Sequence, residues 1–181
     1  MATVLPWGEL ALFLVVALSE SAFAAEALIA CLIHEAAHII LCKALGGKFR
    51  GISPKGTGLL ISYYPASISY GRELIVILSG AAANFLLCGI SALAGNIEAA
   101  TVNFAVGAVN LLPIKGLDGG EALFVITSFL KDENKACKLI GAVSTAFSVI
   151  LWLCAIYYQL RLGSNLSLLL LSVFILITGL K

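Results

Sequence analysis

Apolar residues occur in long blocks along this chain, and short polar or glycine-containing stretches separate the blocks. The blocks cover residues 10–21, 23–45, 73–93, 99–112, 137–160 and 164–180. An apolar stretch of about 20 residues is long enough to cross a bilayer as a helix. The pattern therefore predicts an all-α membrane protein, a polytopic bundle of about six transmembrane segments that forms a single domain over residues 1–181.

Two stretches interrupt the helical pattern. In residues 48–70, glycines alternate with β-branched and aromatic residues, which predicts a small extended or re-entrant hairpin between the second and third segments. An ordinary loop at the membrane surface is the alternative. In residues 110–120, Pro113 and nearby glycines preclude a regular helix, and we expect a short helix over 121–130 and then a polar break over 131–135.

The composition agrees with a membrane protein. The chain is 61% hydrophobic and 12% charged, and its mean hydropathy is +1.06, whereas soluble domains are about 45–50% apolar and 25% charged. The net charge of +1 and the lack of a basic run give no indication of nucleic-acid binding. Residues 1–9 contain no lysine or arginine, so we expect a retained first segment rather than a cleaved signal peptide.

The only two histidines of the chain, His34 and His38, lie four residues apart inside the second apolar block. Four residues are about one helical turn, so both imidazoles project from one helix face, with Glu35 about 100° round from His34. The pattern His-Glu-x-x-His supplies two zinc ligands and a general base for an activated water. A polar contact between helices is the alternative, but two imidazoles and a carboxylate would then all need partners at an apolar depth.

A catalytic zinc ion usually has three protein ligands and one open position. Because the chain has no third histidine, the third ligand must be Asp, Glu or Cys. Asp118 is the first candidate, since its glycine-flanked turn can bend toward a metal; Glu121 is the second and Cys42 the third. The alternative role for Asp118 is to cap the short helix over 121–130.

Small residues accompany the histidines. On a helical wheel the histidine face also carries small residues, among them Ala27, Ala30 and Ala37. The third segment contains a run of small residues at 79–83 followed by Asn84. Small residues let membrane helices approach closely, and an asparagine there forms hydrogen bonds between helices. The histidines are therefore expected to face the interior of the bundle.

The positive charges predict the orientation of the segments. If successive segments cross in alternate directions, one side receives ten of the Lys and Arg residues and the other side receives Arg161 alone. Basic residues favour the cytoplasmic side. We therefore expect a multi-pass protein of the cell membrane with both termini, and the active-site side, in the cytoplasm.

These motifs resemble those of the site-two proteases, a family of intramembrane zinc metalloproteases, and most closely the compact group that includes the stage-IV sporulation protease. The resemblance covers about residues 5–160. It rests on three sequences: His34-Glu35-Ala36-Ala37-His38, Asn110-Leu111-Leu112-Pro113-Ile114 and Leu117-Asp118-Gly119.

The resemblance implies one Zn²⁺ ion held by His34, His38 and Asp118, with Glu35 as the catalytic base. It implies Asn110, less directly, as a residue that positions substrate or stabilises the oxyanion. It also implies a membrane-anchored protein substrate, a regulator of some kind, cleaved in or near its transmembrane segment.

A zinc-binding, non-proteolytic membrane scaffold or a metal transporter is the alternative function. A transporter would carry more His, Asp or Glu residues along its other helices, whereas the cores of the third, fifth and sixth segments have almost none. The partners expected are the substrate and the lipid bilayer. The sequence leaves open a regulatory membrane protein and self-association into an oligomer.

Overall fold

The computed structural model describes the backbone of residues 22–47, 49–55, 58–63, 69–162 and 173, and the side chains at 25–47, 69–157, 160, 161 and 173. These residues contain five helices: α1 (Ala22–Ala44), α2 (Tyr70–Leu93), α3 (Ile97–Asn110), α4 (Asp118–Leu130) and α5 (Glu133–Leu162). The predicted first segment lies outside the described residues, as does the sixth apart from residue 173.

Three of the described helices are long and apolar enough to cross a membrane. The candidate spans are Ala25–Ala44 in α1, Tyr70–Leu93 in α2 and Glu133–Tyr157 in α5. The predicted fourth segment forms helix α3, which has 14 residues and is shorter than the about 20 needed for a full crossing. These helices and the apolar composition are those of a membrane protein.

The contacts within the chain define two compact units, Met1–Leu111 and Leu112–Lys181. In the first unit, helices α1, α2 and α3 pack against one another in all three pairs. In the second unit, α4 packs along α5. Both candidate zinc-binding histidines lie in the first unit, on α1, which packs against α2 and α3.

The interior of the first unit is lined by small and polar side chains rather than by large apolar ones. Its buried positions are Ala30, His34, His38 and Cys42 on α1, Val76, Ser79, Gly80, Ala81 and Asn84 on α2, and Ala100, Val102, Asn103 and Gly107 on α3. Large apolar residues such as Leu32, Ile40 and Leu86 are exposed on the outer faces. This distribution suits helices that are surrounded by lipid and packed through small residues.

Short polar and glycine residues define the helix ends of the first unit. After α1, Gly46 adopts φ +82°, and the N–H groups of Gly46 and Gly47 donate to the carbonyls of Lys43 and Cys42 at 3.1 and 2.8 Å. The predicted stop at this glycine pair is confirmed. At the start of α3, the Asn96 side chain accepts a hydrogen bond from the Ala99 N–H at 3.0 Å, so the helix begins earlier than predicted.

A hairpin of two antiparallel strands connects α1 and α2. Strand β1 (Phe49–Lys55) pairs with β2 (Gly58–Tyr63), in a register that runs from Phe49 opposite Tyr63 to Lys55 opposite Gly58. The register shifts between Phe49 and Gly51. These strands lie in the stretch where the sequence predicts extended backbone, and the side chains of this stretch lie outside the described residues.

Two boundaries predicted for the second unit are wrong. Helix α4 begins at Asp118 rather than at 121, and Gly119 and Gly120 lie in its first turn. A Cβ on Gly120 would overlap the Ile114 carbonyl group and lie 3.1 Å from the Lys115 nitrogen. The glycine at 120 therefore permits a close approach of two backbone segments and does not stop the helix.

The predicted polar break is also shorter than expected, because α5 begins at Glu133. The Asn134 N–H approaches Asp132 Oδ1 at 3.4 Å, and the Ala136 N–H donates to the Asp132 carbonyl at 2.9 Å. Polar and acidic residues are favourable in the first turn of a helix, where side chains can satisfy free N–H groups. The charged cluster thus separates the two helices by residues 131 and 132 only, and its remaining residues form the first turn of α5.

Candidate metal centre

Helix α1 carries His34 and His38 on its buried face. They belong to a row spaced four residues apart, Ala30, His34, His38 and Cys42, which keeps one side of the helix turned toward the interior of the first unit. His34 is 3% exposed and His38 is 7% exposed. The ring centroids are 4.8 Å apart, and the ring planes are nearly perpendicular, at 81°. The helix therefore presents the two imidazoles as a close pair, as the spacing predicts.

Each imidazole is held through its Nδ1 atom by a residue of α2. His34 Nδ1 lies 2.6 Å from Asn84 Oδ1, and His38 Nδ1 lies 2.8 Å from the Val76 carbonyl oxygen. A carbonyl oxygen only accepts hydrogen bonds, so Nδ1 of His38 carries the proton and its acceptor lone pair is on Nε2. The same tautomer follows for His34, because the atom that faces it is also a carbonyl-type oxygen.

Ser79 adds a second polar group near His38. Its Oγ lies 3.3 Å from His38 Nδ1 and donates to the Val76 carbonyl at 2.6 Å. The serine hydroxyl and the imidazole therefore share one carbonyl acceptor. This arrangement satisfies three polar groups at a buried position of the helix interface.

Gly80 is the point on α2 toward which both Nε2 atoms are directed. A Cβ at this glycine would lie 2.6 Å from His34 Nε2 and closer still to His38 Nε2. Val76, Gly80 and Asn84 are spaced four residues apart, so one face of α2 supplies an acceptor for each Nδ1 and, between them, room for both Nε2 atoms. Only glycine leaves that room.

This donor set fits a zinc ion. Histidines that bind metals usually donate the other ring N–H to a carbonyl or carboxylate, which fixes the tautomer and the ring orientation. Both histidines have such a partner here. The third ligand predicted from the sequence, Asp118, belongs to the second unit. Two imidazoles and a carboxylate are ligands typical of catalytic zinc.

Asp118 lies in the second unit as the first residue of helix α4. It is half-buried, and Gly116, which precedes it by two residues, has φ +92°. The N-cap residue of α4 is Leu117 in an extended conformation. The capping alternative requires Asp118 to be the N-cap residue, and Leu117 has that position instead.

The remaining candidates occupy different places. Glu35 is half-buried on α1, one residue along from His34. Asn110 is the last residue of α3, and its side-chain amide donates to the Val106 carbonyl of the same helix at 3.1 Å. Glu121 lies in the first turn of α4, and Cys42 is buried on α1.

Comparison with known proteins identifies the fold. No protein-family model and no curated protein matches the chain. A solved structure, the site-2 protease from Methanocaldococcus jannaschii, is similar with a TM-score of 0.70 at 20% sequence identity, over 96% of this chain and 84% of that chain. The chain has the fold of a site-2 protease. This fold agrees with the resemblance of the sequence motifs to the site-two proteases, while the assignment to the compact sporulation group stays a prediction.

Sequence reasoning missed the residues of α2 that hold the histidines. The run of small residues and Asn84 predicted a close helix contact with an interhelical hydrogen bond, and this is confirmed. It did not identify His34 as the bonded partner. The Val76 acceptor is a backbone carbonyl, so its side chain gives no signal.

Proposed function

We propose that this protein is an intramembrane zinc metalloprotease of the site-two family. It would hydrolyse peptide bonds in or near the transmembrane segment of a membrane-tethered regulatory protein, near the cytoplasmic face. The observation that carries the proposal is the buried histidine pair of α1, with both Nδ1 atoms held by acceptors and both Nε2 atoms directed toward Gly80. The site-2 protease fold supports it.

In this proposal His34, His38 and Asp118 hold one Zn²⁺ ion. The ion would act as a Lewis acid toward the peptide carbonyl and would make water a nucleophile near neutral pH. The chain contributes ligands whose tautomers are set before the ion binds, because each Nδ1 proton is directed at an oxygen acceptor. Little reorganisation of the two imidazoles is then needed on binding.

Glu35 is assigned the proton transfers. It follows His34 directly on α1, so the helix holds the carboxylate at a fixed angle of about 100° from the first ligand. A carboxylate there can accept a proton from the attacking water and later donate it to the leaving amine. Asn110, at the end of α3, is the weaker candidate for positioning the substrate backbone or stabilising the oxyanion.

The proposed architecture is one domain of about six membrane segments, with the hairpin between the second and third. The protein would lie in the cell membrane with both termini and the active site on the cytoplasmic side, following the distribution of Lys and Arg. Its partners would be the lipid bilayer and a membrane-anchored substrate, and a regulatory membrane protein or self-association would be compatible with this arrangement.

The alternative is a zinc-binding scaffold or a transporter without protease activity. A transport path for metal ions needs ionisable residues at several depths along the helices. Among the described residues, the fully buried polar residues are the two histidines and Ser, Thr and Asn residues, and every described Asp, Glu, Lys and Arg residue is at least partly exposed. One compact pair of histidines suits a single reaction centre better than a path.

The deciding experiment is cleavage of a co-expressed single-span substrate by the wild type and by Glu35→Gln. This change keeps the proposed ligands and removes the base, so we expect cleavage to fall by about 10²–10⁴-fold while zinc content is unchanged. Glu98→Gln makes the same chemical change at an exposed site in the first turn of α3 and is expected to cleave like the wild type. Equal cleavage by the wild type and Glu35→Gln would contradict the protease assignment.

A further inference from the structure

Asn84 on α2 links the proposed metal ligand His34 on α1 to helix α3. It is completely buried on α2. Its Oδ1 accepts from His34 Nδ1 at 2.6 Å, and its Nδ2 donates to the Ala30 carbonyl of α1 at 3.1 Å and to Asn103 Oδ1 of α3 at 3.2 Å. One side chain thus contacts all three helices that the structure describes in the first unit.

The orientation of the Asn84 amide is fixed by backbone acceptors. Ala30 presents a carbonyl, which can only accept, so the NH₂ group of Asn84 must face it and the oxygen must face His34. Asn103 is fixed in the same way, because its Nδ2 donates to the Ala99 carbonyl at 2.9 Å. Its Oδ1 is then directed at Asn84. The donors in this chain of bonds therefore all have one direction, which begins at the Nδ1 proton of His34 and ends at the Ala99 carbonyl.

We propose that Asn84 is a positioning residue that fixes the Nδ1–H tautomer of His34 and directs its Nε2 toward the metal. The inference rests on the proposed function for its metal, but the tautomer it assigns is a property of the metal-free protein. An apolar side chain at 84 would leave the buried Nδ1 proton without its acceptor, and the ring could then rotate or change tautomer.

The first test uses the fact that the chain contains only two histidines. Full-length protein labelled with ¹⁵N-histidine gives imidazole signals from these residues alone, and a His38→Gln variant assigns them. In the metal-free wild type at pH 8, we expect His34 in the Nδ1–H tautomer. In Asn84→Leu we expect a mixture with the Nε2–H tautomer. A wild-type His34 in the Nε2–H form would overturn the proposal, as would an unchanged tautomer in Asn84→Leu.

The second test separates positioning from simple packing. Asn103→Leu also removes the bond between Asn84 and Asn103, but Asn84 can still donate to the Ala30 carbonyl and keep its oxygen on His34. We expect Asn84→Leu to weaken zinc affinity by about 10–100-fold, the usual effect of removing a residue that holds a metal ligand. Asn103→Leu leaves the Nδ1 acceptor of His34 in place and should weaken zinc affinity much less than Asn84→Leu does. Equal weakening by the two variants would overturn the proposal in favour of general loosening of the helix interface.

Two further outcomes keep the inference distinct from the proposed function. If Asn84→Leu does not fold, Asn84→Asp keeps an oxygen toward His34 and is expected to keep the Nδ1–H tautomer; a changed tautomer there counts against the proposal. If the wild type binds zinc and Asn84→Leu binds it equally well, only the positioning role fails. If the wild type binds no zinc, the metalloprotease proposal fails and the metal part of this inference fails with it.

Discussion

Replacement of Gly80 by alanine tests the geometry of the histidine pair directly. The added Cβ would lie 2.6 Å from His34 Nε2, whereas ordinary contacts of this kind begin near 3.4 Å, so the ring must move by about 0.8 Å. Metal–ligand distances tolerate about 0.2 Å. Movement is opposed by the Nδ1 bonds to Asn84 and the Val76 carbonyl. Gly80→Ala therefore either breaks an Nδ1 hydrogen bond or displaces an Nε2 atom from its position for metal binding.

We expect Gly80→Ala to lower zinc affinity by at least about 100-fold, which corresponds to about 2.7 kcal/mol. Overpacking of the interface is expected to lower the free energy of unfolding by a further 1–3 kcal/mol, approximately. The assay is competition for zinc with a chromophoric chelator in detergent, together with cleavage of a single-span substrate. Zinc affinity and cleavage at wild-type levels in Gly80→Ala would refute the placement of the two Nε2 atoms.

Gly89→Ala is the matched control for this prediction. Gly89 lies on the same helix, and a Cβ there would have no described atom within 4 Å. The substitution removes the same backbone freedom without contacting the histidines. We expect zinc affinity and cleavage like those of the wild type; a loss equal to that of Gly80→Ala would assign the effect to the helix backbone rather than to the histidine contact.

Two predictions concern stability in other parts of the fold. Gly120→Ala should lower the free energy of unfolding by about 1–3 kcal/mol, because its Cβ would overlap the backbone of Ile114. Gly141→Ala on α5 is the control, since a Cβ there would have no described atom within 4 Å, and it should be close to neutral in the same thermal unfolding assay. Equal effects of the two changes would contradict the close approach of Gly120 to Ile114. Asn96→Ala should cost about 1 kcal/mol by removing the cap of α3. Hydrogen exchange should increase in the first turn of α3, and an unchanged exchange rate there would contradict the capping role.

The sequence predicted the parts of this fold that depend on local pattern. The helix of the histidines, its glycine stop at Gly46, and the contact through the small residues around Gly80 follow from periodicity, turn chemistry and side-chain size. The start of α5 was mispredicted because a charged cluster can begin a helix as well as separate two. The role of Gly120 depends on the distance to the Ile114 backbone, which no sequence rule supplies.

In the candidate site, too, local sequence pattern predicts some features and contacts between distant residues determine the others. The spacing of His34 and His38 predicts their shared face, and the structure pairs their rings. The acceptors that set their tautomers lie 38 and 50 residues away in the chain, and one is a backbone atom. Such contacts depend on the rotation of α2 about its axis and on its register against α1, which side-chain patterns constrain only to one face.

The histidine pair also has a consequence for the order of events during synthesis. The acceptors of the two Nδ1 atoms, and the bonds that orient Asn84, come from residues between Ala30 and Asn103, all within the first unit. Asp118 follows later in the chain, and at about 5–20 residues per second the ribosome adds it roughly one to three seconds after Asn103. The Asn84 and Val76 acceptors of the imidazole pair are therefore made before the proposed third ligand, so a metal arriving during membrane insertion would meet the histidines first.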